Sequence, residues 1–314
     1  MSNDLFPTFT SEHIQLNNML SDTAGPAIFV RTRVDRDKPP LLLLHGYPQT
    51  YVEFHKIVPR LLSHFSLFLL DLRGYGASST VLSENGSGYS KRLMAQDCVS
   101  VMRRYGYEKF SILGHDRGAG VAYRLALDMP EKVDKLIIVD IIPTYSRYTG
   151  FADRDSVLRG FHWSFMAQAE PFPETMIKGA DGGKFFLEHI LTSWSGTHSL
   201  EAFDPTPLEN YREAFCNDER IHSTCEDYRA GAFHDRAHDE DDLKNGNKIG
   251  AQTLIVWGQK GRVAGPSAKT PLDVWRDFAE DVRGVGLECG HFIPEEDPDG
   301  LVDAVMDFFG IKGR

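Results

Sequence analysis

Short apolar runs, each ending in a small polar cluster, set the rhythm of this chain. Leu41–Leu44, Ser66–Leu70, the stretch Phe110–Leu113, Val133–Val139 and Ala251–Trp257 show little polar alternation. They predict strands buried on both faces of a parallel sheet. Val282–Cys289 suits a last strand, and the looser alternation of Phe9–Gln15 and Ala27–Val34 suits an opening antiparallel pair. Between the runs the spacing turns helical, at residues 53–63, 91–105, from the glycines near 118 to Met129, at 272–279 and at Leu301–Phe309. Pro130 stops the helix before it. Strand, helix, strand, helix predicts an α/β fold with a mostly parallel central sheet and helices on both faces. A site is then expected at the C-terminal ends of the strands.

The alternation stops from about Thr144 to Asn247, where aromatic residues such as Tyr145, Tyr148, Phe161, Trp163, Phe165 and Trp194 cluster instead. This predicts a helical insertion. The expected division is a core of residues 1–143 and 248–314 with a cap of residues 144–247. The charged stretch Asp235–Lys248 reads as a solvated hinge. His234 and His238 within this region are four apart, a spacing that can hold a metal on a helix. A charged, solvated face is the simpler reading, and no metal or cofactor is expected.

Charge and cysteines narrow the partners. A net charge of -11 over 314 residues, with no block of Lys or Arg, argues against nucleic acid and anionic membrane surfaces. The opening Met1-Ser-Asn-Asp-Leu-Phe-Pro7 lacks the basic start and apolar core of a signal peptide, and no apolar stretch is long enough to span a bilayer. Cys98, Cys216, Cys225 and Cys289 are scattered and read as reduced thiols of a cytoplasmic protein. Cys216 and Cys225 are close in sequence, but spacing alone shows no disulfide. The expected partners are a small-molecule substrate and water, with a homodimer left open.

The chemistry gathers at Gly114-His-Asp-Arg-Gly118, between a strand and a small-residue helix. It has the frame of the Gly-x-Ser-x-Gly nucleophile elbow with Asp116 at the centre. Its simpler reading is an aspartate N-cap. Three other strand ends favour the first. His291 follows the last strand, where the base of this order belongs. Asp140 ends the strand after the elbow and can hold His291 in the right tautomer. The loop Gly258–Gly261, the alternative place for an acid, contains no carboxylate. His45-Gly46-Tyr47 is placed to supply one oxyanion N–H from Tyr47, and Arg117 the second. A carboxylate nucleophile displaces a leaving group from saturated carbon and forms an alkyl ester, which water then cleaves. Asp116 therefore points to carbon–halogen or epoxide opening.

These residues resemble the α/β-hydrolase family, and within it the haloacetate (fluoroacetate) dehalogenases. The resemblance rests on His45-Gly-Tyr-Pro-Gln-Thr50, Asp71-Leu-Arg-Gly-Tyr-Gly76, Gly114-His-Asp-Arg-Gly118, Asp140-Ile-Ile-Pro-Thr144, His162-Trp163, Cys225-Glu-Asp-Tyr-Arg-Ala230 and Gly290-His-Phe-Ile-Pro-Glu295. It implies that His162, Trp163 and Tyr228 line a halide pocket, and that Arg117 binds a substrate carboxylate. The subgroup carries a second arginine three residues after the first, where this chain has Gly120. Half the clamp is then missing, and free space is expected beside Arg117. Arg124 is one turn further and buried or too distant, and Arg147 is a candidate replacement. Epoxide hydrolases share the fold and the Asp–His pair, with Tyr228 and His162 as proton donors. A binding protein without catalysis would not need Asp116, His291 and Asp140 together.

Overall fold

The computed structural model describes residues 4–17, 24–261, 263 and 269–311. The opening Met1–Asn3 lies outside the described residues. Eight strands form one sheet: β1 (Thr10–Asn17), β2 (Ala24–Arg33), β3 (Pro40–Leu44), β4 (Ser66–Leu70), β5 (Phe110–His115), β6 (Val133–Val139), β7 (Gln252–Gly258) and β8 (Val282–Leu287). Their order is β1-β2-β4-β3-β5-β6-β7-β8, with β1 and β2 antiparallel and β4 to β8 parallel. The apolar runs sit where full burial requires them. In β3, Leu42 and Leu44 join the core on one face, and Leu41 and Leu43 the core on the other. Burying each such leucine contributes roughly 1.5–3 kcal/mol.

The strand order reverses at β3, which has β4 on one side and β5 on the other. The crevice beyond such a switch point is where open α/β sheets bind ligands. Two glycines let the β5 turn close there. A Cβ on Gly114 would come within 2.6 Å of the Ala119 backbone, and one on Gly118 within 2.2 Å of the Leu44 carbonyl oxygen. The helix Arg117–Asp128 can therefore lie hard against β3 and β5 only with glycine at both places.

Between β6 and β7 the described residues are helical, from Thr144–Thr149 to Arg236–Asn245. The first expected helix, 53–63, is instead a 3-10 segment Tyr51–Lys56 followed by a short α-helix Val58–Leu61, with Pro59 in its first turn. The helix expected at 272–279 is shorter, Pro271–Trp275. The solvated hinge is corrected more sharply. Its residues form the end of a π-turn Gly231–Asp235 and the helix Arg236–Asn245, and Asp235, Asp239 and Asp242 are buried. Lys91, Tyr123 and Arg124 of the core receive those carboxylates, which a local reading of charge does not foresee. The Asp235 Oδ1 accepts the Lys91 backbone N–H at 2.8 Å, Tyr123 donates its hydroxyl to Asp239 at 2.9 Å, and Arg124 pairs with Asp242 at 2.6 Å. All four cysteines are free thiols. Among the described residues no helix is long and apolar enough to cross a membrane.

Candidate active site

The strand ends bring three of the expected residues together. Asp116 stands between β5 and its helix at φ 45°, ψ -114°. Non-glycine residues adopt this left-handed region only when the surroundings enforce it, and such strain concentrates at functional sites. Its backbone N–H is held by the Val139 carbonyl at 3.0 Å. Its side chain makes no cap bond to the helix, which removes the N-cap reading. Asp116 Oδ1 instead accepts the Tyr47 backbone N–H at 3.0 Å. Asp116 Oδ2 faces His291 Nε2 at 3.8 Å. That is too long for a direct hydrogen bond.

His291 Nδ1–H donates to Asp140 Oδ2 at 2.6 Å. Asp140 also sits at positive φ, 50°, and its Oδ1 accepts the Gly258 N–H at 2.9 Å. The loop after β7 thus supplies a backbone donor to the acid. The His291 backbone N–H donates to the Trp194 carbonyl at 3.0 Å. Fixing Nδ1–H on Asp140 leaves Nε2 as the basic nitrogen, and Nε2 has no hydrogen-bond partner among the described residues.

His115, to which the elbow motif alone assigns no role, is fully buried beside this pair. Its Nδ1 lies 3.0 Å from Glu53 Oε2, and its Nε2 donates to the His291 carbonyl at 2.9 Å. Burial works against its charge, yet the Glu53 carboxylate outweighs it and raises the imidazole to about 9. A charged His115 donates from both nitrogens and anchors the His291 backbone. Its place inside the elbow motif was the available signal, and Glu53 offered none.

The cavity over Asp116 is lined by Asp140, Arg147, Arg159, His162, Trp163 and His291 among others. It is narrow, about 20 Å³, space for little more than one ordered water. Tyr228 packs behind it, with its ring centroid 5.7 Å from His162 and 5.6 Å from Trp163. Its hydroxyl is buried with no hydrogen-bond partner among the described residues, and burial raises the phenol well above its usual value. Tyr47 packs edge-on against Tyr228 at 5.3 Å.

Arg117 departs from expectation. Its backbone N–H makes no hydrogen bond to the Asp116 side chain. Its guanidinium does not line the cavity but forms a bidentate pair with Asp227, at 2.9 Å from Nε and 2.7 Å from Nη2. Lys91 shares the same carboxylate, and Tyr75 donates its hydroxyl to it at 2.7 Å. Although burial opposes it, the two cations hold Asp227 well below the usual carboxylate range. The free space expected beside Arg117 is also absent. A Cβ on Gly120 would meet Lys91 Cε at 3.1 Å, so Lys91 occupies it. Arg124 is buried against Asp128 and Asp242, away from the cavity. His234 bonds the Asn85 carbonyl at 3.0 Å, and no cluster able to hold a metal occurs among the described residues.

An eight-stranded, mostly parallel sheet with an elbow aspartate, a histidine and a second aspartate at its strand ends has the architecture of one large enzyme class. Residues 39–298 match the alpha/beta hydrolase fold, and the chain belongs to that family and is a hydrolase. Among curated proteins it is 37% identical over 271 residues to the fluoroacetate dehalogenase of Burkholderia sp, covering 86% of each chain. It is 30% identical over 271 residues to the soluble epoxide hydrolase of Corynebacterium sp. (strain C12), covering 86% of this chain and 90% of that one. The crystal structure of ALR0039 from Nostoc sp PCC 7120 superposes with a TM-score of 0.88 at 42% identity, covering 97% of this chain and 99% of that one.

Proposed function

We propose that the protein is a hydrolytic dehalogenase of small 2-haloacids, with Asp116 as nucleophile, His291 as base and Asp140 as its orienting acid. The observation that carries this is the division of labour on one carboxylate. Asp116 Oδ1 is held by the Tyr47 N–H, while Oδ2 faces both the cavity histidine and the substrate space. Oδ2 attacks the carbon bearing the halogen; the new C–O bond forms as the C–X bond breaks and halide leaves. His162, Trp163 and Tyr228 receive the anion through N–H and O–H donors. His291 Nε2 then takes a proton from water, whose oxygen attacks Asp116 Cγ. Negative charge develops on Oδ1, where the Tyr47 N–H already points. Collapse expels the hydroxyacid, whose oxygen takes the proton from His291; the second water proton, left on the Asp116 carboxyl, passes to solvent and restores the carboxylate. Residues 144–247 act as the cap that closes this chemistry from bulk water, and no cofactor takes part.

The unpartnered Tyr228 hydroxyl supports a second reading, in which Tyr228 with His162 protonates the alkoxide of an opened epoxide. The greater likeness to the fluoroacetate dehalogenase, 37% against 30% for the soluble epoxide hydrolase, favours the haloacid. Purified protein offered fluoroacetate, chloroacetate, 2-chloropropionate and styrene oxide separates the two. Halide release with no diol supports dehalogenation, diol with no halide supports the second reading, and neither product contradicts both.

A further inference from the structure

An anionic substrate brought against the Asp116 carboxylate needs cations that are not already committed. Arg117 and Lys91 are both spent on Asp227. Gly120 faces the Lys91 methylenes, so the elbow helix offers no cation to the cavity. Two arginines from the insertion do reach it. Arg147 lies on the helix Thr144–Thr149, directly after β6, and Arg159 ends the helix Arg154–Arg159. Both line the cavity with Asp116 and His291. Neither forms an ion pair with any described residue, and the buried Arg147 Nε has no hydrogen-bond partner among them. The two also lie near enough to repel: after burial, which most disfavours the Arg147 charge, Asp140 and Asp116 favour it while Arg159 opposes it. An anion between the two guanidiniums would relieve that repulsion and supply the acceptors that Arg147 lacks.

We infer that Arg147 and Arg159 are the anion clamp of this cavity, gripping the substrate carboxylate from the insertion side while its reacting carbon rests over Asp116. The inference deepens the dehalogenase reading and rests on it for the identity of the substrate. The planar guanidinium fork matches a carboxylate in two-point geometry, which explains how a chain with glycine at position 120 can still hold a haloacid. It also makes anion recognition a property of the insertion, so cap position and substrate binding become one event.

The test uses the full chain and two readouts. Binding of propionate, a carboxylate with no leaving group, is measured by calorimetry. Halide release from 2-chloropropionate gives kcat and KM. Arg147→Gln and Arg159→Gln should each weaken propionate binding and raise KM by roughly tenfold to a hundredfold, with the larger share of the loss in KM. Arg147→Lys, which keeps the charge without the fork, should recover part of the loss and guards against a folding defect. Propionate binding and KM that stay within twofold of wild type in both glutamine variants would overturn the clamp. If wild type binds propionate in an arginine-dependent way but releases no halide, the clamp stands and the dehalogenase reading fails.

Discussion

The sheet end and the helical insertion build their parts of the site by different physical means. At the sheet end the backbone does the positioning. Asp116 and Asp140 both sit at positive φ on turns that close strands, and main-chain N–H groups of Tyr47 and Gly258 fix their carboxylates. In the insertion, side chains do it across long sequence distances. Asp227 ties Arg117 and Lys91, Asp239 takes Tyr123, and Asp242 takes Arg124. The contrast teaches that the two candidate catalytic carboxylates are fixed by local geometry, whereas the walls around them depend on a buried charged seam that can be altered piece by piece.

The largest effect should come from the sheet end. Asp116→Asn removes the proposed nucleophile and should cut turnover by roughly a thousandfold or more with little change in Tm. Full activity in protein shown by mass to be free of deamidation would break the comparison at its first half. The seam supplies the next largest. Asp227→Asn leaves two buried cations without their carboxylate and should cost about 3–5 kcal/mol, read as a lowered denaturant midpoint. A midpoint equal to wild type would show that the seam does not hold the insertion.

Smaller effects divide the cavity walls. Trp163→Phe should slow fluoride release roughly tenfold, and bromide release less, because fluoride is the stronger acceptor and the poorer leaving group. If Tyr228→Phe is the more damaging of the two, the proton-donor reading gains. Smallest is a pH effect in the seam. Burial raises the Asp239 carboxyl from 3.8 to about 7, against the Tyr145 N–H, Arg124 and Tyr123, with Asp235 adding to the rise. A raised acid in the folded state contributes stability below about pH 3.8 that is lost as pH climbs toward 7. Asp239→Asn should therefore flatten the fall in stability across that window, and an unchanged pH profile would remove Asp239 as its source.

Much of the sheet end was legible because its signals are local. Unbroken apolar runs marked β3 to β7, and the residues after β3, β5 and β6 carry Tyr47, Asp116 and Asp140, while His291 follows β8. The seam was not legible. Asp235, Asp239 and Asp242 lie in a run of charges that reads as solvated until Lys91, Tyr123 and Arg124, more than a hundred residues earlier, are placed against them. Arg117 misled for the same reason, since its partner Asp227 is 110 residues away. Gly120 stands where the resemblance implies an arginine, and only the structure shows Lys91 filling the place.

The central claim is that Asp116 Oδ2 attacks carbon and His291 acts only afterwards. Mass spectrometry of His291→Gln protein treated with 2-chloropropionate tests it most directly. The expected result is a covalent adduct on the peptide carrying Asp116, because attack proceeds while hydrolysis of the ester is stalled. Halide released by this variant with Asp116 unmodified, or an adduct on another residue alone, would contradict it.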